Sequence, residues 1–122
     1  MTRCVSILGS TGSIGRQSLE VVRRLGLRVA ALTAGSNVEL MERQCREFGP
    51  KLAGMVTEEA AQALLDRIDD LNIPVLTGLE GLLAAATMQE ADTVITAVVG
   101  MVGLQPTLAA IEKGKRIALD NK

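Results

Sequence analysis

The chain has 122 residues, with 13 Lys plus Arg set against 14 Asp plus Glu, no His, Trp or Tyr and a single Phe. One domain is expected at this length; the absence of histidine excludes a His-based triad, an imidazole base and a Cys/His zinc centre, and Cys4 and Cys45 supply no metal-ligand pair. A net charge of -1 and the near absence of aromatic rings argue against nucleic-acid binding, which needs a basic stripe and stacking surfaces.

The stretch Met1 to Gly9 has too short an apolar part for a signal peptide and no small-residue cleavage site. Cys4 and Cys45 read as buried free thiols of a reducing compartment, so a cytoplasmic location is expected. Residues 93–111 carry no charge, but Gly100, Gly103, Gln105 and Pro106 interrupt the run where a spanning helix would be continuous. Strand, loop and helix fit that run better, and no membrane partner is expected.

Runs rich in Val, Ile and Leu alternate with stretches of helical period, the pattern of a parallel sheet wrapped by crossover helices. Strands are predicted at about 3–9, 28–33, 52–56, 74–77, 93–99 and 116–119, with five helices between them. The fold class is α/β: a Rossmann-like, doubly wound, mainly parallel sheet with helices on both faces, one domain over 1–122.

The first helix, about 13–25, places Ile14, Leu19, Val22 and Leu25 near one face, and Gly26 ends it as a left-handed cap. Asn37 is a good N-cap for the second, which buries Val38, Met41, Cys45 and Phe48 and stops at Gly49-Pro50. Thr57 caps the third, with Glu58 and Glu59 in its first turn and Ala61, Leu64, Leu65 and Ile68 as its inner face. Asp69-Asp70 then reads as a solvated, mildly unfavourable surface pair with no function. A fourth helix, about 79–89, is rich in Ala and Leu; a fifth, about 104–113, has Pro106 in its first turn and ends at Gly114. Lys113, Lys115 and Arg116 around that end read as dipole complements on a solvated edge.

The stretch that carries chemistry is Gly9-Ser10-Thr11-Gly12-Ser13-Ile14-Gly15, between the first strand and the first helix, where a dinucleotide fold keeps its phosphate loop. Gly9 turns the chain off the strand, Gly12 lets backbone approach a pyrophosphate, and Gly15 lets the helix lie close on the sheet. The N–H groups of Gly12 to Ile14 then face the ligand with the helix dipole behind them, and Thr11 and Ser13 add hydroxyls. Its spacing is G-x-x-G-x-x-G, looser than the strict dinucleotide fingerprint. Further polar and glycine residues gather at other strand ends: Ala34-Gly35-Ser36-Asn37, Gly100 to Gly103, and Asp120-Asn121-Lys122. In an open α/β sheet these share the carboxyl edge, where ligands bind.

An NAD enzyme places Asp or Glu at the end of its second strand, on the ribose diol. Residues 29–37 contain no acid there, which leaves room for a 2′-phosphate and makes NADP the expected cofactor. The usual cation is also missing from that loop; Ser36 and Asn37 offer neutral donors, and Arg43 lies further along the next helix.

Three segments together resemble the 1-deoxy-D-xylulose 5-phosphate reductoisomerase family: Ile7 to Gly15, Ala34-Gly35-Ser36-Asn37-Val38, and Val99-Gly100 through Gly103-Leu104 and Pro106 to Ile111 to Gly114-Lys115 and Asn121-Lys122. The resemblance implies an enzyme of non-mevalonate isoprenoid biosynthesis that rearranges 1-deoxy-D-xylulose 5-phosphate and reduces the resulting aldehyde with NADPH to 2-C-methyl-D-erythritol 4-phosphate, using Mg or Mn. By position it also implies that Thr11, Gly12, Ser13 and Ile14 hold the pyrophosphate, Gly35, Ser36 and Asn37 the adenosine ribose and its phosphate, and Asn121 the nicotinamide half. Lys122 matches the family's substrate-contacting lysine, and a homodimer is implied for the full-length enzyme.

The family often has Lys or Arg where this chain has Ser36, and a small alanine where it has Asp120. A carboxylate there repels a pyrophosphate unless it turns outward or is protonated. Family members continue well past the position of Lys122, so the resemblance implies the amino-terminal cofactor-binding part, inactive by itself and without catalytic or metal-ligating residues. The alternative, of another class, is a stand-alone nucleotide-binding or regulatory module without catalysis.

Overall fold

A computed structural model describes residues 3–98 and 104–119. In chain order the elements are β1 (Cys4–Leu8), α1 (Ser13–Leu25), β2 (Arg28–Thr33), α2 (Val38–Phe48), β3 (Leu52–Met55), α3 (Glu58–Arg67), a 3-10 turn (Asp69–Leu71), β4 (Val75–Thr77), α4 (Gly78–Ala86), β5 (Thr93–Thr96), α5 (Leu104–Glu112) and β6 (Arg116–Leu119). The six strands form one sheet in the order β4-β3-β2-β1-β5-β6, and every pairing is parallel. Right-handed crossovers explain this order: moving outward from β1 to β4 keeps α1, α2 and α3 on one face, and the return to β5 and β6 puts α4 and α5 on the other. The order reverses between β1 and β5, so a crevice opens at the carboxyl ends of those strands.

Each face has its own core. Val5, Ile7 and Leu32 of the sheet pack with Leu19, Val22, Met41, Cys45, Leu64 and Ile68; Leu8, Ala31 and Val94 pack with Ala85, Ala86 and Ala110. A register shift between Val5 and Ser6 pairs Val5 with Val29 and Ser6 with Ala31, so Val29 and Ala31 serve opposite cores. Because both faces are covered, the strands read as continuous apolar runs and not as alternating ones. Helix α4 comes unusually close to the sheet because glycine faces glycine: a Cβ added to Gly81 would stand 3.5 Å from Cα of Gly54 and 3.4 Å from the Leu76 carbonyl.

Several expectations are corrected. Leu25 is 66% exposed; α1 ends in a Schellman motif in which Leu27 N–H bonds the Val22 carbonyl and Gly26 takes φ 68°, so Leu27, not Leu25, returns to the core. On α3 Leu65 turns outward and Ala60 takes its place. Val38 and Phe48 are only half-buried, whereas Gln44 is buried beside Met41 and Cys45. Asp70 is not a free surface acid: it takes both terminal nitrogens of Arg46, at 2.9 and 3.1 Å, and Arg46 also pairs with Glu42, which Arg67 holds from α3. Arg46 holds the Asp70 carboxyl below its ordinary range through those hydrogen bonds. Lys115 closes its own helix end through its backbone N–H, which donates to the Ala110 carbonyl at 3.0 Å, while its side chain donates Nζ to the Met88 carbonyl just after α4, at 2.7 Å. β5 stops at Thr96, where the chain diverges from β1 at the Gly9 turn.

Candidate cofactor-binding site

The glycine-rich turn is fixed by the strand beside it. Gly9 N–H donates to both the carbonyl and the Oγ1 of Thr33, at 3.0 and 3.1 Å, and Ser10 N–H to the same carbonyl at 2.7 Å. Ser10 is fully buried, its hydroxyl on Met41 Sδ and its carbonyl accepting from Gln44 Nε2 at 2.9 Å. Gln44 is therefore a positioning residue that the sequence reading missed; a polar residue inside an otherwise apolar helix stripe was the available signal. Its Oε1 is buried without a hydrogen-bond partner among the described residues.

The three glycines differ in what requires them. Gly9 has φ +88°, and a Cβ there would lie 3.0 Å from the Ala97 carbonyl group. At Gly15 a Cβ would lie 2.0 Å from the Gly9 carbonyl oxygen and 2.7 Å from Cα of Ser10. Gly12 has an ordinary φ of -73°, and a Cβ there would meet only the Gly9 oxygen at 3.8 Å. The fold thus demands glycine at 9 and 15 but not at 12, where the space in front of the backbone stays open.

Gly12 is the N-cap of α1 with no side-chain cap, and no acid stands in the first turn. The early N–H groups of a helix have no intrahelical acceptor, so Ser13 and Ile14 present donors and a positive dipole end outward. Thr11 and Ile14 are half-buried, and Gly12 and Ser13 exposed, as an anion-binding loop requires.

The loop after β2 completes the edge. Ala34 N–H bonds the Gly54 carbonyl and Val56 N–H the Gly35 carbonyl, tying it to β3. Gly35, Ser36 and Asn37 are exposed. Asn37 Oδ1 accepts from Leu40 N–H at 3.1 Å; with its oxygen committed to the cap, only the amide nitrogen is left, which suits an anion. Beside this loop lies a cavity of about 470 Å³ walled by Gly9, Ala34, Gly35, Met55, Leu79 and Val98, and thus largely apolar. The structure therefore brings Thr11, Gly12, Ser13 and Ile14 together with Gly35, Ser36 and Asn37 on one sheet edge. Asp120, Asn121, Lys122 and the Gly100 to Gly103 segment lie outside the described residues.

Among the described residues no group of three His, Cys, Asp or Glu could hold a metal ion, and no helix is long and apolar enough to cross a membrane. Both cysteines are free and buried. Burial pushes the Cys45 thiol up to about 11 and raises that of Cys4, so neither offers a thiolate near neutrality.

A family model described as 1-deoxy-D-xylulose 5-phosphate reductoisomerase matches residues 5–122. A protein of that name from Lachnoclostridium phytofermentans is 51% identical over 121 residues, covering 98% of this chain and 31% of its own length. Another, from Heliobacterium modesticaldum, is 53% identical over 126 residues, covering 100% of this chain and 32% of the relative. The chain thus spans about a third of the length of the curated relatives it matches. Among solved structures, a DOX-P reductoisomerase in complex with magnesium is similar with a TM-score of 0.93 at 37% identity, over 99% of this chain and 31% of that one. A 1-deoxy-D-xylulose 5-phosphate reductoisomerase from Zymomonas mobilis in complex with NADPH is similar with a TM-score of 0.91 at 35% identity, over 99% of this chain and 32% of that one.

Proposed function

The chain belongs to the 1-deoxy-D-xylulose 5-phosphate reductoisomerase family, and from that premise we propose that it is the NADPH-binding part of such an enzyme. The single observation that carries this is Gly12: a glycine without internal need, at an uncapped helix start, facing open space. A pyrophosphate placed there accepts from the N–H groups of Gly12 to Ile14 and the hydroxyls of Thr11 and Ser13. Gly35, Ser36 and Asn37 take the adenosine ribose and its 2′-phosphate, and the apolar cavity between them and α4 takes the flat adenine ring. Asn121 and Lys122, by their place in the family motif, serve the nicotinamide and the substrate.

NADPH supplies the hydride when bound. What this chain contributes is binding and orientation: the turn, pinned through Thr33 and Gln44, offers its donors in a fixed array and so loses little entropy when the cofactor enters. In the full-length enzyme the reading is conversion of 1-deoxy-D-xylulose 5-phosphate to 2-C-methyl-D-erythritol 4-phosphate in isoprenoid biosynthesis, in a cytoplasmic homodimer. The described residues do not fit the Mg or Mn of that reaction, and no step here uses a metal.

The test is calorimetric titration of the chain with NADPH, NADH and AMP, beside a Gly12→Asp variant. We expect NADPH to bind and the variant to lose at least about tenfold in affinity, because a carboxylate at Gly12 blocks the phosphate sterically and by charge. A folded wild-type chain that binds none of the three would overturn the reading.

A further inference from the structure

Resting on the reading of a 2′-phosphorylated cofactor, we propose that Arg16 and Arg43, on opposite walls of the groove between α1 and α2, form the cationic clamp for the 2′-phosphate. The β2–α2 loop, Ala34 to Asn37, brings hydroxyl and amide donors but no cation. The groove beside it, about 460 Å³, has Ser13 of the phosphate-binding turn in its wall, and three arginines line it: Arg16 and Arg23 from α1 and Arg43 from α2.

The three are not equally available. Arg23 bonds Glu47 through two nitrogens and Glu20 at 3.1 Å, and its guanidinium stands 5.5 Å from the Phe48 ring centre. It is committed, and it offsets both acids of the groove floor. Among the described residues Arg16 makes one long bond, Nε to the Gly12 carbonyl at 3.4 Å, which holds the guanidinium next to the glycine-rich turn with its terminal nitrogens unspent. Among the described residues Arg43 bonds only Glu39, at 3.0 Å, with both side chains 70% exposed. A surface i,i+4 pair of this kind contributes little, whereas a forked guanidinium contact to a dianionic phosphate is shorter and stronger. Exchange of Glu39 for the phosphate is therefore downhill.

Reach is consistent with this. Arg43 stands six residues beyond the Asn37 cap, about 9 Å along the helix axis. Helical side chains lean toward the amino end, and the Arg43 guanidinium is accordingly found on Glu39 in the first turn of α2, on the groove that Arg16 also lines. The clamp thus replaces, from the two helices, the charge that position 36 lacks as serine.

The test is a calorimetric comparison of adenosine 2′,5′-bisphosphate with 5′-AMP on the 122-residue chain, on the Arg16→Ala/Arg43→Ala variant, and on Arg28→Ala as a charge control at the opposite sheet edge. We expect the wild type to prefer the bisphosphate by about tenfold or more, the double variant to lose more affinity for the bisphosphate than for AMP and with it that preference, and Arg28→Ala to keep both affinities. Preserved preference in the double variant, or equal loss in the control, overturns the clamp. A wild type that binds AMP without preference overturns the clamp while leaving a nucleotide site standing; binding of neither ligand overturns the underlying reading as well.

Discussion

The amino ends of α1 and α3 follow strands in the same sheet and meet the same problem, a first turn of unpaired N–H groups, yet they are finished in opposite ways. Thr57 caps α3 by accepting from Ala60 N–H at 3.1 Å, and Glu58 and Glu59 lie in its first turn. α1 begins at Gly12 with no side-chain cap and no acid, and its first charged residue is Arg16. One end satisfies an N–H group with its own side chain; the other leaves its first N–H groups without a side-chain acceptor. The difference teaches that the site is defined as much by what the sequence withholds as by what it supplies.

Three substitutions sharpen that contrast, from the largest effect down. Gly15→Ala should cost at least about 3 kcal/mol, because its Cβ meets the Gly9 and Ser10 backbone and neither can yield without dismantling the turn. Urea denaturation followed by circular dichroism measures it; a loss below half that value would show that the helix can slide away from the sheet. Thr57→Ala should cost about 1 kcal/mol by the same assay, since it strips the cap from α3, with NADPH affinity unchanged. Gly12→Asp should do the reverse: a gain of about 0.5 kcal/mol in stability, from a new cap and a favourable charge at the dipole, together with the loss of nucleotide binding. Stability and binding falling together in that variant would mean Gly12 is required by the fold, and the comparison would collapse.

Much of the architecture was legible because several signals agreed at the same positions. Asn37 and Thr57 both cap as their side chains predict, Gly26 and Gly49 both adopt the left-handed backbone, and the six strands fall where the apolar runs lie. The failures depended on geometry that a hydropathy pattern does not carry, in one case a local turn and in two cases partners distant in sequence. Leu25 and Leu27 are equivalent in a hydropathy pattern until the Schellman turn chooses between them. Asp70 looked idle because its partner, Arg46, is on another helix. The pattern of α2 gave Gln44 no role, and only the packing of α2 over Ser10 shows what it holds.

For the site itself, the glycine-rich turn, the acid-free loop after β2 and their place on one sheet edge follow from the sequence, because strand-to-helix turns in a parallel sheet necessarily share the carboxyl side. The sequence also determined the fold class and the family resemblance. The separate tasks of Gly9, Gly12 and Gly15 were readable from their order in the turn; how strictly the backbone requires each one was decided only in three dimensions, since that depends on the atoms a Cβ would meet. So was the difference among the arginines: composition counts them as equal charges, and only the tertiary structure pairs Arg23 with Glu47 while leaving Arg16 beside the glycine-rich turn.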